Sequence, residues 1–263
     1  MNNIIVLSLL AGVVGMGLGG LITAVFGNRT EKMVSIFLSF AGGVMVSIVL
    51  IELIPEAIEY SNIWVTIIGV AIGAVMVLAL NDVMDKFSRT DKSKSKLHES
   101  YTEFFHSEGI TEKGAAQKSM LRSGMIMLFA IALHNVPEGL AMGAAGYHDA
   151  ALGLTIAIMI GLHNIPEGMA IAAPLISGGL SKPKSLMLIM LTGATTVVGA
   201  VAGVLLGGIS YTMLALSFAV ASGAMLYVVF GEILPQSIVT NKDKIPAIFA
   251  MVGIVVGLLF LQI

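Results

Sequence analysis

His134-Asn135-Val136-Pro137-Glu138-Gly139 breaks one long apolar run, and His163-Asn164-Ile165-Pro166-Glu167-Gly168 breaks the next, 29 residues on. The turn-forming Tyr147-His148-Asp149 lies about midway between the two copies. A helix rises 1.5 Å per residue, so a hairpin that turns there brings both hexapeptides to the same depth, one facing the other. The fold is therefore one that can hold two polar motifs side by side within apolar helices.

The chain around them has 263 residues, 57% of them hydrophobic and only 11% charged, where a soluble domain has about 25% charged residues. Lipid must solvate such a chain. It has no cysteine, which excludes disulfides, thiolate zinc sites and iron–sulfur chemistry. Any metal ligands must come from His, carboxylate, amide or Met side chains. No nucleic-acid partner is expected; the lipid bilayer is.

A hydrocarbon core of about 30 Å takes roughly 20 apolar residues per helix. Eight segments qualify, approximately 4–26, 33–56, 63–81, 122–146, 150–176, 185–208, 211–238 and 245–262. The predicted class is an all-α membrane protein of eight transmembrane helices, a single domain over 1–263. The first segment lacks a basic leader and is followed by further spans, so it reads as a mature helix rather than a signal peptide. The hydrophilic stretch 82–121 is expected to form a loop between helices 3 and 4, with a short helix around 99–106.

All fourteen Lys and Arg residues fall after odd-numbered helices: Arg29 and Lys32 after the first, Lys86 to Arg122 after the third, Lys182 and Lys184 after the fifth, Lys242 and Lys244 after the seventh. Basic residues are retained in cytoplasmic connections, so 82–121 is expected inside and both termini outside. A second repeat has an offset of 180. Ala41-Gly42-Gly43-Val44-Met45 matches Ala221-Ser222-Gly223-Ala224-Met225, and Glu52-Leu53-Ile54-Pro55 matches Glu232-Ile233-Leu234-Pro235. Helices 2 and 7 enter from opposite sides, which makes helices 1–3 and 6–8 inverted repeats about the central pair, a 3+2+3 arrangement that secondary transporters use.

Residues four apart share a helix face, so His134 points with Glu138 and His163 with Glu167. Ionised carboxylates are costly in hydrocarbon, and two together more so, unless a cation neutralises them. Asn135 and Asn164 add neutral oxygens beside the same glutamates. Pro137 and Pro166 cannot donate to the carbonyls of Leu133 and Leu162, leaving acceptors free. Gly139 and Gly168 offer surfaces for close helix packing. Imidazole with carboxylate suits zinc, iron(II), manganese or cobalt, and not magnesium or calcium.

The paired HNxPEG motifs on the fourth and fifth of eight helices resemble the ZIP (Zrt-, Irt-like protein) family of divalent metal transporters, bacterial members above all, over essentially the whole chain. The resemblance implies outward termini, a cytoplasmic loop after helix 3, a homodimer, and import of metal into the cytoplasm across the cell membrane. It implies one metal site of His134, Glu138, His163 and Glu167, and a neighbouring one of Asn135, Glu138, Asn164 and Glu167. Met45 and Glu52, two turns apart on helix 2, are similar to family positions bordering the site. The metal is then cargo, zinc foremost with iron(II), manganese, cobalt and cadmium as further candidates, and no cofactor is expected. The family's helix-6 glutamate, in a Gly-x-x-Glu-Pro pattern, is replaced by Thr196 in Gly193-Ala194-Thr195-Thr196-Val197.

Glu232, Gln236 and Glu56 are candidates for an entrance path. His98 and His106 are expected to be solvated, and His148 and Asp149 to serve the turn. The competing class is an intramembrane zinc-dependent hydrolase, in which a glutamate activates water. No HExxH occurs, and duplicated ligands without an obvious catalytic base point to passage of the ion rather than to an enzyme.

Overall fold

The computed structural model describes residues 2–27, 30–88, 112–205 and 210–260, and every element among them is helical. The expected short helix around 99–106, with His98 and His106, lies outside the described residues. Among the described residues seven helices are long and apolar enough to cross a membrane: α1 (Asn3–Phe26), α2 (Glu31–Tyr60), α3 (Ile63–Val83), α4 (Gln117–Tyr147), α5 (Ala150–Ser177), α6 (Lys182–Leu205) and α7 (Tyr211–Thr240). A shorter apolar helix, α8 (Ile245–Leu259), follows. Only structures that satisfy their own backbone groups survive in hydrocarbon, and the outward faces are apolar, with Trp64, Val25 and Val198 among the exposed side chains.

The expected loop 82–121 is helical at both ends: the third helix continues to Ser88, and the fourth begins at Glu112. Hydropathy marks where lipid ends, whereas a helix runs on into water as long as its residues tolerate it. Other ends are capped by side chains. Thr30 accepts from the Met33 amide at 3.4 Å, and Asp149 from those of Ala151 and Leu152 at 2.8 and 3.4 Å, the turn role expected of it.

Two helices widen at the same relative place. α2 has a π-turn at Val49–Leu53 and α7 one at Val229–Ile233, 180 residues apart. In each, a proline follows within two residues, Pro55 and Pro235. Its ring crowds the carbonyl four residues back and it has no N–H to give, so the preceding turn opens. Each π-turn carries one glutamate, Glu52 or Glu232.

Glycines sort the eight helices into two groups of four. A Cβ on Gly139 would strike the carbonyl oxygen of Thr196, and one on Gly199 that of Val136, joining α4 to α6. Gly168 meets Met16 and Gly19 meets Ile165 in the same way, joining α5 to α1. In the other group Gly43 meets Ala250 and Gly253 meets Phe40 (α2 with α8), while Gly223 meets Val70 and Gly73 meets Val220 (α7 with α3). The contacts of α2 with α8 repeat in those of α7 with α3 at an offset of 180. The contacts of α4 with α6 repeat in those of α5 with α1 once 29 residues relate the two hexapeptides. Ser35 and Ser237 further tie α2 to α7, each hydroxyl donating to the other's backbone carbonyl at 3.0 and 2.9 Å. Among the described glycines none meets backbone of the other group.

Candidate metal centre

Both hexapeptides lie inside the first group, on α4 and α5, and six of their side chains are buried: His134, Asn135, Glu138, His163, Asn164 and Glu167 are each no more than 1% exposed. The pairing is reciprocal. His134 Nε2 lies 3.0 Å from Glu167 Oε1, and His163 Nε2 lies 3.3 Å from Glu138 Oε2. Each histidine thus reaches across to the glutamate of the other helix, the consequence of two copies of one motif facing each other at one depth.

What those contacts leave over is a set of donors with nothing to bind. Glu138 Oε1, Glu167 Oε2, Asn135 Oδ1, Asn164 Oδ1 and both Nδ1 atoms have no hydrogen-bond partner. A buried polar atom without a partner costs about 1–3 kcal/mol, and such groups in a native fold call for a partner from outside the protein, a water or an ion. His134, Glu138 and Glu167 each bring a ligand atom within 4.8 Å of the others; His163 joins through Glu138.

The asparagines are aimed rather than merely present. Asn135 Nδ2 donates to the carbonyl of Thr192 on α6 at 3.4 Å, and Asn164 Nδ2 to that of Ala11 on α1 at 2.9 Å. With the amide nitrogens engaged, the Oδ1 atoms are the ones left free. Ala11 lies in a third π-turn, Leu10–Val14, where the wider hydrogen-bond spacing releases carbonyls. Thr196 is fully buried on α6 with its Oγ1 unpartnered, so a neutral hydroxyl stands where the resemblance led to expect a carboxylate.

Met45 is fully buried on α2. Glu52, in the α2 π-turn, lies close enough to His163 and Glu138 for their charges to bear on its carboxylate, with Glu56 one turn further on. Glu232 and Gln236 sit elsewhere. Glu232 accepts from Asn81 Nδ2 at 2.9 Å, and Gln236 Nε2 contacts Met120 Sδ at 3.4 Å, at the start of α4, some 20 Å along that helix from His134 by the rise per residue. Asn81 went unremarked in the sequence; a lone amide near the end of an apolar helix was the available signal.

Comparison with known proteins gives a consistent picture. A family model described as ZIP zinc transporter matches residues 3–263. A zinc transporter ZupT of Akkermansia muciniphila is 36% identical over 278 residues, covering 100% of this chain and 97% of that protein. Proteins of the same name from Chlorobaculum parvum and Streptococcus mutans are 33% and 30% identical, each covering 98% of this chain and 94% of its own length.

Proposed function

Because the chain belongs to the ZIP zinc transporter family, we propose that it carries a divalent transition metal, zinc first, into the cytoplasm through the His/Glu/Asn centre between α4 and α5. It is a multi-pass membrane transporter and not an enzyme. The observation that carries the site assignment is the reciprocal His–Glu pairing with free oxygens on both glutamates and both asparagines. A dication lodged among them would take the place of the two buried His–Glu contacts and neutralise both carboxylates. Iron(II), manganese, cobalt and cadmium suit the same donors.

The architecture we propose is eight spans in a 3+2+3 arrangement, with α1–α3 and α6–α8 as inverted repeats, both termini outside and a homodimer as the working unit. Support comes from the 180-residue correspondence of the π-turns and glycine contacts, from the sorting of all basic residues to one side, and, for the dimer, from family resemblance.

Alternating access follows from the two helix groups. The close glycine-to-backbone contacts lie within each group, and among the described glycines none runs between them, which favours the surface between the groups as the one that slides. Their registers differ at the two interfaces. Phe37 of α2 shares a cleft with Ala173 and Ile176 of α5, and Glu52 neighbours His163. Gln236 of α7 meets Met120 of α4, which translates by the repeat offsets into Glu56 opposite Asp149. The mismatch is roughly 10 Å along the axis. Exchanging the two registers slides α1, α4, α5 and α6 by that amount, moving the centre from the Glu52 end toward the Glu232 end.

Purified protein in liposomes containing a zinc-sensitive dye tests the reading. Saturable zinc entry is expected, with competition by cobalt and cadmium, and Glu138→Ala should lower it well beyond the roughly 10–100-fold typical of lost outer-shell contacts. Zinc binding without entry would sink transport; wild-type entry in Glu138→Ala would sink the site.

A further inference from the structure

Glu232 and Glu52 occupy equivalent places in equivalent π-turns, yet they face different company. Glu52 neighbours the metal centre. Glu232 accepts a 2.9 Å hydrogen bond from Asn81 of α3, whose amide also reaches Tyr227 Oη at 3.4 Å. Asn81, Tyr227 and Glu232 all belong to the α2/α3/α7/α8 group. Across the interface lies the start of α4. With Gln236 against Met120 and the two helices antiparallel, Glu232, one turn back on α7, falls level with the first residues after Met120. Among these are Arg122 and Ser123, the first acting on the Glu232 carboxylate through its positive charge and the second through its hydroxyl.

The arrangement has no twin at the other face. By the 29-residue offset Arg122 corresponds to Ala151, and by the 180-residue offset Asn81 corresponds to Leu261. The repeats therefore share the carboxylate but not the base or the amide that engages it.

We propose that Glu232, positioned by Asn81 and facing Arg122, latches the start of α4 to the second helix group in the register seen here, and that its release accompanies the slide of the metal centre toward the α3–α4 face. This rests on the alternating-access reading. Asn81 fixes the carboxylate on its own group, so that the α4 side of the contact, Arg122 with Ser123 beside it, parts when α4 moves. Arg122 is exposed, which lets the guanidinium find water as it leaves. The metal centre itself takes no part in the latch; Glu232 is a positioning residue.

The chain has no cysteine, so one introduced thiol reports without background. Ala173, 3% exposed in the cleft against Phe37, moves toward the α3–α4 face in the exchanged register. In Ala173→Cys protein in sealed vesicles, a membrane-impermeant maleimide is applied from each face in turn. Arg122→Gln and Glu232→Gln are each expected to speed labelling from the α3–α4 face by about two- to fivefold, the range a part-exposed ion pair imposes on a two-state population. The exchanged pair Arg122→Glu with Glu232→Arg should return the rate to that of the parent. Unchanged labelling in both single variants overturns the latch. So does an exchanged pair that labels as fast as the single variants, because that result means general loosening. Labelling needs no flux, so the latch and the transport reading fail separately.

Discussion

At the scale of single residues, the centre is defined by what each side chain has left after its protein contacts are made. Glu138 and Glu167 each engage one histidine and keep one oxygen free; Asn135 and Asn164 give away their amide protons and keep their carbonyls. The free oxygens, with Thr196 Oγ1 equally unpartnered, are the donors from which an oxygen-only compartment, as the family resemblance implies, would be built beside the histidine side. One carboxylate in place of Thr196 supplies the anion that a second dication lacks. Thr196→Glu is therefore expected to raise bound zinc from one to two per chain by elemental analysis of the purified protein, and an unchanged count tells against the oxygen compartment as a second site. Much of this was legible beforehand. His134 with Glu138 and His163 with Glu167 could be paired from their spacing, and the intervening turn set their depth. The crossing of each histidine to the opposite glutamate was not legible, since helical spacing orders residues on one helix and says nothing of the angle at which two helices meet. Nor was Asn81 with Glu232, a contact 151 residues apart in sequence.

At the scale of elements, the glycines and π-turns decide how the helices fit. The Cβ that Gly139 lacks would fall on the backbone of α6, which has nowhere to go. Forcing a methyl into such a contact costs about 1–3 kcal/mol. Gly114 has nothing within 4 Å of its missing Cβ, and alanine there favours the helix by about 0.5–1 kcal/mol. Thermal unfolding in detergent should accordingly show Gly139→Ala destabilised and Gly114→Ala unchanged or slightly stabilised; equal effects would mean that the α4–α6 approach is looser than drawn. Gly139 was recognisable in advance as a packing surface because it follows the motif. The π-turns were not, because one extra residue in a turn leaves hydropathy untouched, although the matched Glu52–Pro55 and Glu232–Pro235 stretches marked where the two would fall.

At the scale of the whole molecule, two four-helix groups, each joined inside by glycine-to-backbone contacts, make a distinction that cross-linking can read. Ser35 and Ser237, with hydroxyls 3.0 Å apart, lie within one body; Met120 and Gln236 lie on different ones. With cysteines at both positions of a pair, oxidation of the 120/236 pair should stop zinc entry and reduction restore it, while the oxidised 35/237 pair keeps most of its flux. Loss of flux in both pairs alike would contradict sliding between bodies. The apolar segments and their order were plain from composition, since lipid imposes them; the division into bodies was hidden, because it depends on which small residues touch backbone rather than on how many there are. A body that slides also has an outer surface to take with it. Leu18, Phe129, Ile158, Leu191 and Val198 are exposed on α1, α4, α5 and α6, and a shift of roughly 10 Å drags this greasy collar out of line with the acyl chains at fractions of a kcal/mol per Å of mismatch. On the sliding mechanism proposed above, the bilayer becomes a mechanical load on turnover. Zinc entry should vary steeply with lipid chain length while zinc binding in the same vesicles stays constant, and a flux indifferent to bilayer thickness would mean the collar stays where it is.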